Sequence, residues 1–318
     1  MASAGCEDLK NPRWVFHPEQ DPGYRHFVHI AKPFEGAAGS VTPANAAWLA
    51  DAALLAYWRP AEVDAITAAV GFASEPFNDR GTDAYVITSA EHKWAIVTFR
   101  GTQPDQSEDF ASDADFLQEK FGAGNVHRGF LRAFRRVEDP LTTRVHALAK
   151  AGFRVWFCGH SLGAALATIA AAALRNETSG VCTVGSPRVG DQSFVDDFDA
   201  NFGGRSARYV NDHDLVTRVP PADFGLLSTY GHVGELRFID NSGTVSTAPE
   251  DEPSFFGSVF GHPLQIRPQF AISRTIALGA LSTGAAIAGH VADGLVPESI
   301  LDHMPKAYAC AIRQAATG

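Results

Sequence analysis

Residues 154–175 read RVWFCGHSLGAALATIAAAALR, and this stretch decides the fold. Arg154-Val155-Trp156-Phe157-Cys158 is a short apolar run of β-branched and aromatic residues, the signature of a buried strand. Residues 162–175 are dominated by Ala and Leu, strong helix formers, and predict a helix. Between them stands Gly159-His160-Ser161-Leu162-Gly163, so strand, tight glycine turn and helix follow one another directly.

The flanks repeat the alternation. Residues 85–88 and 94–99 are β-rich and separated by the polar turn SAEHK, with Trp94, Ile96 and Thr98 alternating against Ala95, Val97 and Phe99. Residues 181–184 and 207–210 predict further strands, and helices are expected over 128–136 and from Pro140 to near Gly152. Upstream, TPANAAWLADAALLAYW reads as a capped helix with Pro43 in its first turn and Ala46, Leu49, Ala53, Leu54 and Tyr57 on one face. Strands alternating with helices imply an α/β fold, a mostly parallel central sheet with helices on both faces. Residues 1–40 lack periodicity and read as an irregular arm over the surface, leaving 41–318 as the catalytic domain. The apolar part of residues 270–292 is too short to cross a bilayer and reads as part of a cap insert at about 241–298.

Composition narrows the partners. With 318 residues and a formal net charge of −10, the chain offers no favourable field to a nucleic acid backbone. A transient contact with a lipid surface through apolar side chains stays open, and no stable protein partner is expected. Cys6, Cys158, Cys182 and Cys310 make no metal-binding spacing, so no metal or cofactor is expected. Cys158 and Cys182 lie in strand-like runs and read as buried free thiols, which favours a reducing compartment. The first twenty residues show no apolar signal segment, and the default expectation is a cytoplasmic protein.

The turn around Ser161 carries chemistry. A serine hydroxyl attacks well only when a base takes its proton and when the side chain stands clear of its own helix. Glycines two before and two after, Gly159 and Gly163, allow strand and helix to close around a sharp turn that projects Ser161 over the sheet edge. The N–H of Leu162 then points at a developing oxyanion, and Thr102, at the end of WAIVTFRGT, offers a second N–H and a hydroxyl. His213, His232, His262, His290 and His303 all compete for the base, whereas His160 is expected to shape the turn.

Six segments in order, IVTFRGT (96–102), VHRGF (126–130), GHSLGAALA (159–167), TVGSPRVGDQSF (183–194), RYVNDHDLVTRVPP (208–221) and YGHVGELRF (230–238), make the chain resemble the class 3 lipase family, which includes fungal triacylglycerol lipases and feruloyl esterases. The resemblance implies an α/β-hydrolase fold and a triad whose acid maps to Asp214, ahead of its competitors Asp212 and Asp191. Asp214 also lies just beyond the strand-like RYV, in the loop that feeds Pro220-Pro221. In the family the base comes last, shortly before a final helix, which implies His303, with His232 the secondary candidate expected to pack near the acid's loop. Thr102 maps to the family's oxyanion residue. Where family members carry an apolar lid helix, residues 103–113 are short and acidic, so interfacial activation through such a lid is not expected.

The leading expectation is therefore a serine carboxylic-ester hydrolase, a lipase acting on acylglycerol or related fatty-acyl esters through an acyl-enzyme on Ser161. The alternatives are an esterase for short or aromatic acyl groups and a non-catalytic module of the same fold that binds lipid or protein. Acyl transfer to an acceptor other than water uses the same residues.

Overall fold

The computed structural model describes Cys6, Leu9 and residues 17–21, 23–101, 116–220, 222, 229–247 and 301–317. Ten strands are present among them: β1 (Ala73–Asp79), β2 (Thr82–Ser89), β3 (Trp94–Phe99), β4 (Gln118–Phe121), β5 (Gly124–His127), β6 (Arg154–His160), β7 (Thr178–Val184), β8 (Ser206–Asn211), β9 (Glu235–Ile239) and β10 (Val245–Ser246). Eight of them form one sheet in the order β1-β2-β3-β6-β7-β8-β9-β10. From β3 to β9 every neighbour is parallel, and antiparallel pairs sit only at the two ends. Among the described residues seven α-helices occur: α1 (Pro43–Leu55), α2 (Pro60–Ala69), α3 (Arg128–Arg135), α4 (Glu138–Lys150), α5 (Leu162–Ala173), α6 (Gln192–Phe202) and α7 (Pro305–Ala315).

The pleat explains the two-faced core. Along β3, Trp94 and Ile96 enter one apolar cluster with α1 and α7, while Ala95, Val97 and Phe99 enter the other with α3, α4, α5 and α6. Trp156 and Cys158 of β6 join the first cluster, and Val155 and Phe157 the second. Buried on both faces, these strands read as continuous apolar runs, as parallel sheets require.

Local chemistry sets the helix boundaries. Thr42 caps α1 by accepting the Asn45 N–H at 3.1 Å, with Pro43 in the first turn. Asp191 caps α6 by accepting the Phe194 N–H at 2.9 Å. Helices α3 and α4 end within two residues of their expected limits. The sequence reading passed over α2, β1 and the β4–β5 hairpin.

The described part of the amino-terminal arm from Gly23 onward is built into the core and is not a surface layer. Tyr24, Phe27 and Phe34 are buried in the α1–α7 cluster. Asp51 of α1 accepts the Phe27 N–H at 2.6 Å and a short hydrogen bond from the Tyr24 hydroxyl, and it pairs with Arg313 of α7 at 2.7 Å. Lys306 pairs with Asp21, and a disulfide joins Cys6 to Cys310. Three links thus tie the arm and α1 to the last helix. The expected cap insert lies outside the described residues beyond residue 247, as does the acidic segment 103–113.

Candidate active site

Strand β6 ends at His160, and α5 starts at Leu162, which leaves Ser161 alone to make the turn. Its backbone sits at φ +57° and ψ −128°, a region that non-glycine residues seldom adopt and that persists only where the surroundings impose it. The surroundings are tight. A Cβ on Gly159 would fall 2.2 Å from the Gly163 carbonyl oxygen, and one on Gly163 would fall 2.2 Å from the Phe99 carbonyl oxygen. Glycine at both places lets β6, α5 and β3 meet, and the Ser161 N–H is held by the Val184 carbonyl at 3.1 Å.

At the start of α5 the Ser161 carbonyl accepts the N–H groups of Ala164 and Ala165. The Leu162 N–H belongs to the first turn of the helix, where no intrahelical acceptor exists, so it faces outward with the positive end of the helix dipole. Thr102 lies outside the described residues. Gly101, which precedes it, is buried against Tyr57 and His160.

His303 stands just before α7, whose first residues are Pro305 and Lys306. Its Nδ1 lies 3.0 and 2.9 Å from the two carboxylate oxygens of Asp214. An ionised carboxylate only accepts, so Nδ1 carries the proton and Nε2 is the acceptor nitrogen of the ring. Asp214 is fully buried in the loop after β8 and also accepts the Val216 N–H at 2.8 Å and the Tyr308 hydroxyl at 2.7 Å. Tyr308 in turn accepts the Asn211 N–H at 2.9 Å. Burial and the Asp214 charge push the Tyr308 phenol well above its ordinary range, so it stays a donor.

The Ser161 turn, Asp214 and His303 adjoin one another. Gly185, one residue beyond the Val184 carbonyl that holds Ser161, has φ +58°, and a Cβ there would lie 3.1 Å from Asp214 Oδ2 and 3.2 Å from His303 Cε1. The His160 and His303 rings lie tilted at 39° to each other with centroids 4.6 Å apart. Asn211 Nδ2 donates to the Asp302 carbonyl at 3.0 Å, and the His213 N–H donates to the Asp302 carboxylate at 3.3 Å. Burial, followed by the neighbouring acids Asp212 and Asp214, raises the Asp302 carboxyl to about 6, against the bond from His213.

The competing residues have other occupations. Asp191 caps α6 and accepts from Asn125 Nδ2 at 2.6 Å, while Asp212 pairs with His213 at 2.7 Å. Asp212, His213 and Asp302 form the group of metal-capable side chains among the described residues, one potential ligand atom from each lying within 4.8 Å of the others. His232 is half-buried, its Nε2 2.7 Å from the Thr217 carbonyl in the acid's loop. Burial and then the charges of Arg208 and Arg188 hold it well below the ordinary histidine range. His262 and His290 lie outside the described residues. Sequence reasoning missed Tyr57, Tyr308 and Asp302, which act across long separations and carry no local signature.

A serine turn at the carboxyl edge of a mostly parallel sheet, with acid and histidine on later loops, defines the α/β-hydrolase class. Residues 96–224 match the family model described as Lipase (class 3). It is similar to a lipase of Rhizomucor miehei, 32% identical over 174 residues that make up 51% of this chain and 46% of that one. It is likewise similar to a secreted mono- and diacylglycerol lipase 1 of Fusarium solani, 37% identical over 172 residues, 50% of this chain and 48% of that one. The chain thus spans about half the length of the curated relatives it matches. Among solved structures it is similar to lipase II from Rhizopus niveus, with TM-score 0.52, 26% identity, and coverage of 63% of this chain and 82% of that one.

Two expectations are corrected. The cytoplasmic default conflicts with relatives named as secreted. The reducing compartment conflicts with the Cys6–Cys310 disulfide, because such bonds persist in oxidising surroundings; Cys158 and Cys182 are buried free thiols.

Proposed function

We propose that this chain is a serine carboxylic-ester hydrolase that cleaves acylglycerols or related fatty-acyl esters, and that it works in an oxidising compartment. The observation that carries the reading is the Asp214–His303 pair held against the Ser161 turn. The match of residues 96–224 to the lipase model and the names of the relatives support a lipid ester as substrate.

In this reading Ser161 Oγ attacks the ester carbonyl carbon while His303 Nε2 takes its proton. The carbonyl oxygen becomes an oxyanion facing the Leu162 N–H, with Thr102 as the second donor. Collapse of the tetrahedral intermediate breaks the ester C–O bond, and His303 returns the proton to the departing alcohol. Water, activated by the same nitrogen, then releases the acid and restores Ser161. Throughout, Asp214 fixes the Nδ1–H tautomer and stabilises the imidazolium, and the Tyr308 and Val216 donors keep the carboxylate aimed at the ring. His232 serves the acid's loop through the Thr217 carbonyl and does not move protons.

An activity profile across p-nitrophenyl esters from acetate to palmitate, run beside His303→Ala and His232→Ala, tests this. The reading expects a preference for medium or long chains, loss of turnover in His303→Ala and retention of it in folded His232→Ala. Normal turnover by His303→Ala would overturn the assignment of the base, and a preference for acetate would overturn the lipid substrate.

A further inference from the structure

One buried hydrogen-bonded pair touches three separate parts of the site. Tyr57, just after α1, and His160, the last residue of β6, are 5% and 2% exposed. The Tyr57 hydroxyl lies 2.8 Å from His160 Nδ1, and His160 Nε2 lies 2.6 Å from the main-chain carbonyl oxygen of His303. A carbonyl only accepts, so Nε2 carries the proton. Burial, followed by the neighbouring His303, holds the His160 ring well below the ordinary histidine range, so it is neutral and has one N–H. Nδ1 must then accept, and the Tyr57 hydroxyl must donate. Every proton in the chain Tyr57, His160, His303 carbonyl is thereby assigned.

The pair also reaches the oxyanion turn. A Cβ on Gly101 would fall 2.2 Å from the Tyr57 hydroxyl and 2.7 Å from the His160 carbonyl oxygen, so residue 101 rests directly on both residues. Arg100 lies over the Tyr57 ring, 6.0 Å from its centroid. His160 is covalently next to Ser161, its Nε2–H grips the backbone of His303, and Tyr57 supports the residue before Thr102. The bond to the carbonyl fixes where the His303 backbone stands relative to the turn, a separation that the Asp214 contact, made to the ring, leaves unset.

We propose that Tyr57 and His160 are positioning residues that set the spacing of the nucleophile turn, the base loop and Gly101 from one buried point. The proposal rests on the hydrolase reading above. Both side chains are buried and bonded to protein groups, so their loss changes the rate of the chemical step and leaves substrate binding in place. His160→Leu removes both hydrogen bonds, whereas the amide of His160→Gln places an N–H near the position of Nε2. Tyr57→Phe removes the donor to Nδ1 and leaves the packing.

The test measures kcat and KM on p-nitrophenyl butyrate for these three variants, with thermal unfolding for each, and the His160 tautomer by long-range ¹H–¹⁵N correlation in the wild-type protein. Expected are a fall in kcat of about 10- to 100-fold for His160→Leu, from misplacement on the scale of an ångström, with KM little changed. His160→Gln recovers most of that loss, and Tyr57→Phe loses roughly 3- to 10-fold, the scale of one hydrogen bond. The spectrum should show Nε2–H and a bare Nδ1. Wild-type kcat in folded His160→Leu, failure of Gln to exceed Leu, or an Nδ1–H tautomer would each overturn the proposal. If His160→Leu fails to fold, Tyr57→Phe and the tautomer decide. Absence of ester turnover in the wild-type protein would instead sink the hydrolase reading.

Discussion

The two faces of the central sheet are packed differently. Against one lie α3, α4, α5 and α6, and their core is an apolar cluster that includes Phe130, Phe134, Phe157, Phe198 and Phe202. Against the other lie the arm, α1 and α7, where apolar residues are interleaved with Asp51, Arg313, Tyr24, His26 and the Tyr57–His160 pair. The first face needs only shape and hydrophobicity, which tolerate small shifts. The second must hold α7, the helix beside His303, at one height against β6 and β8. Directional bonds and a disulfide do what dispersion forces alone do less specifically.

Paired substitutions break the comparison most sharply. Phe134→Ala, in the apolar face, should cost about 3–5 kcal/mol of stability with kcat of the folded enzyme unchanged. Arg313→Met leaves Asp51 buried without its cation and should cost a similar ~3–5 kcal/mol, but it should also lower kcat because α7 is loosened. Denaturant unfolding and steady-state kinetics on both variants read the difference. Equal kcat in the two would remove the functional distinction between the faces.

A smaller effect is expected at His26, which is buried with neither ring nitrogen hydrogen-bonded and lies edge-on to Trp58 at 4.6 Å. Burial lowers its pKa from 6.5 to about 4, with Asp51 opposing and Arg313 assisting. A depressed folded pKa means that the unfolded chain takes up the proton first, so stability is full above pH 6.5 and declines as pH falls through 6.5 toward 4. His26→Phe should unfold at the wild-type temperature at pH 8 and above it at pH 4.5.

The smallest effect concerns Asp302 beside His303. Its carboxyl is raised from 3.8 to about 6, so the fold favours the protonated form; the associated stability is full below pH 3.8 and is lost as pH rises through 6. Asp302→Asn, which mimics the protonated acid, should match the wild type at pH 3.5 and raise Tm by about 2–4 °C at pH 8. A rise of equal size at both pH values would assign the effect to packing.

Much of the scaffold was legible because its signals are local. The alternation of Trp94, Ile96 and Thr98 against Ala95, Val97 and Phe99 placed β3 residue by residue, and the run into Gly159-His160-Ser161 marked the strand, turn and helix. Helix α2 was missed although Pro60 at its first position and Glu62, whose carboxylate accepts the Arg59 N–H at 3.1 Å, carry ordinary start signals. For the candidate site, the resemblance supplied Asp214 and His303, which the fold brings to hydrogen-bonding distance across 89 positions. Tyr308 and the Cys6–Cys310 bond stayed hidden because each depends on where α7 docks, and Tyr57 because its contact depends on where α1 docks on β6; docking across some hundred residues or more leaves no periodicity to read. Counting Cys6 among widely spaced thiols lost the strongest pointer to an oxidising compartment.

The most direct test of the account is covalent labelling of the purified protein by a fluorophosphonate, with the adduct located by peptide mass spectrometry, beside Ser161→Ala. The account predicts one adduct, on Ser161, with labelling and p-nitrophenyl ester turnover both lost in Ser161→Ala, the latter by about 10⁴-fold or more. An adduct on another residue, or labelling and turnover retained in Ser161→Ala, would contradict it.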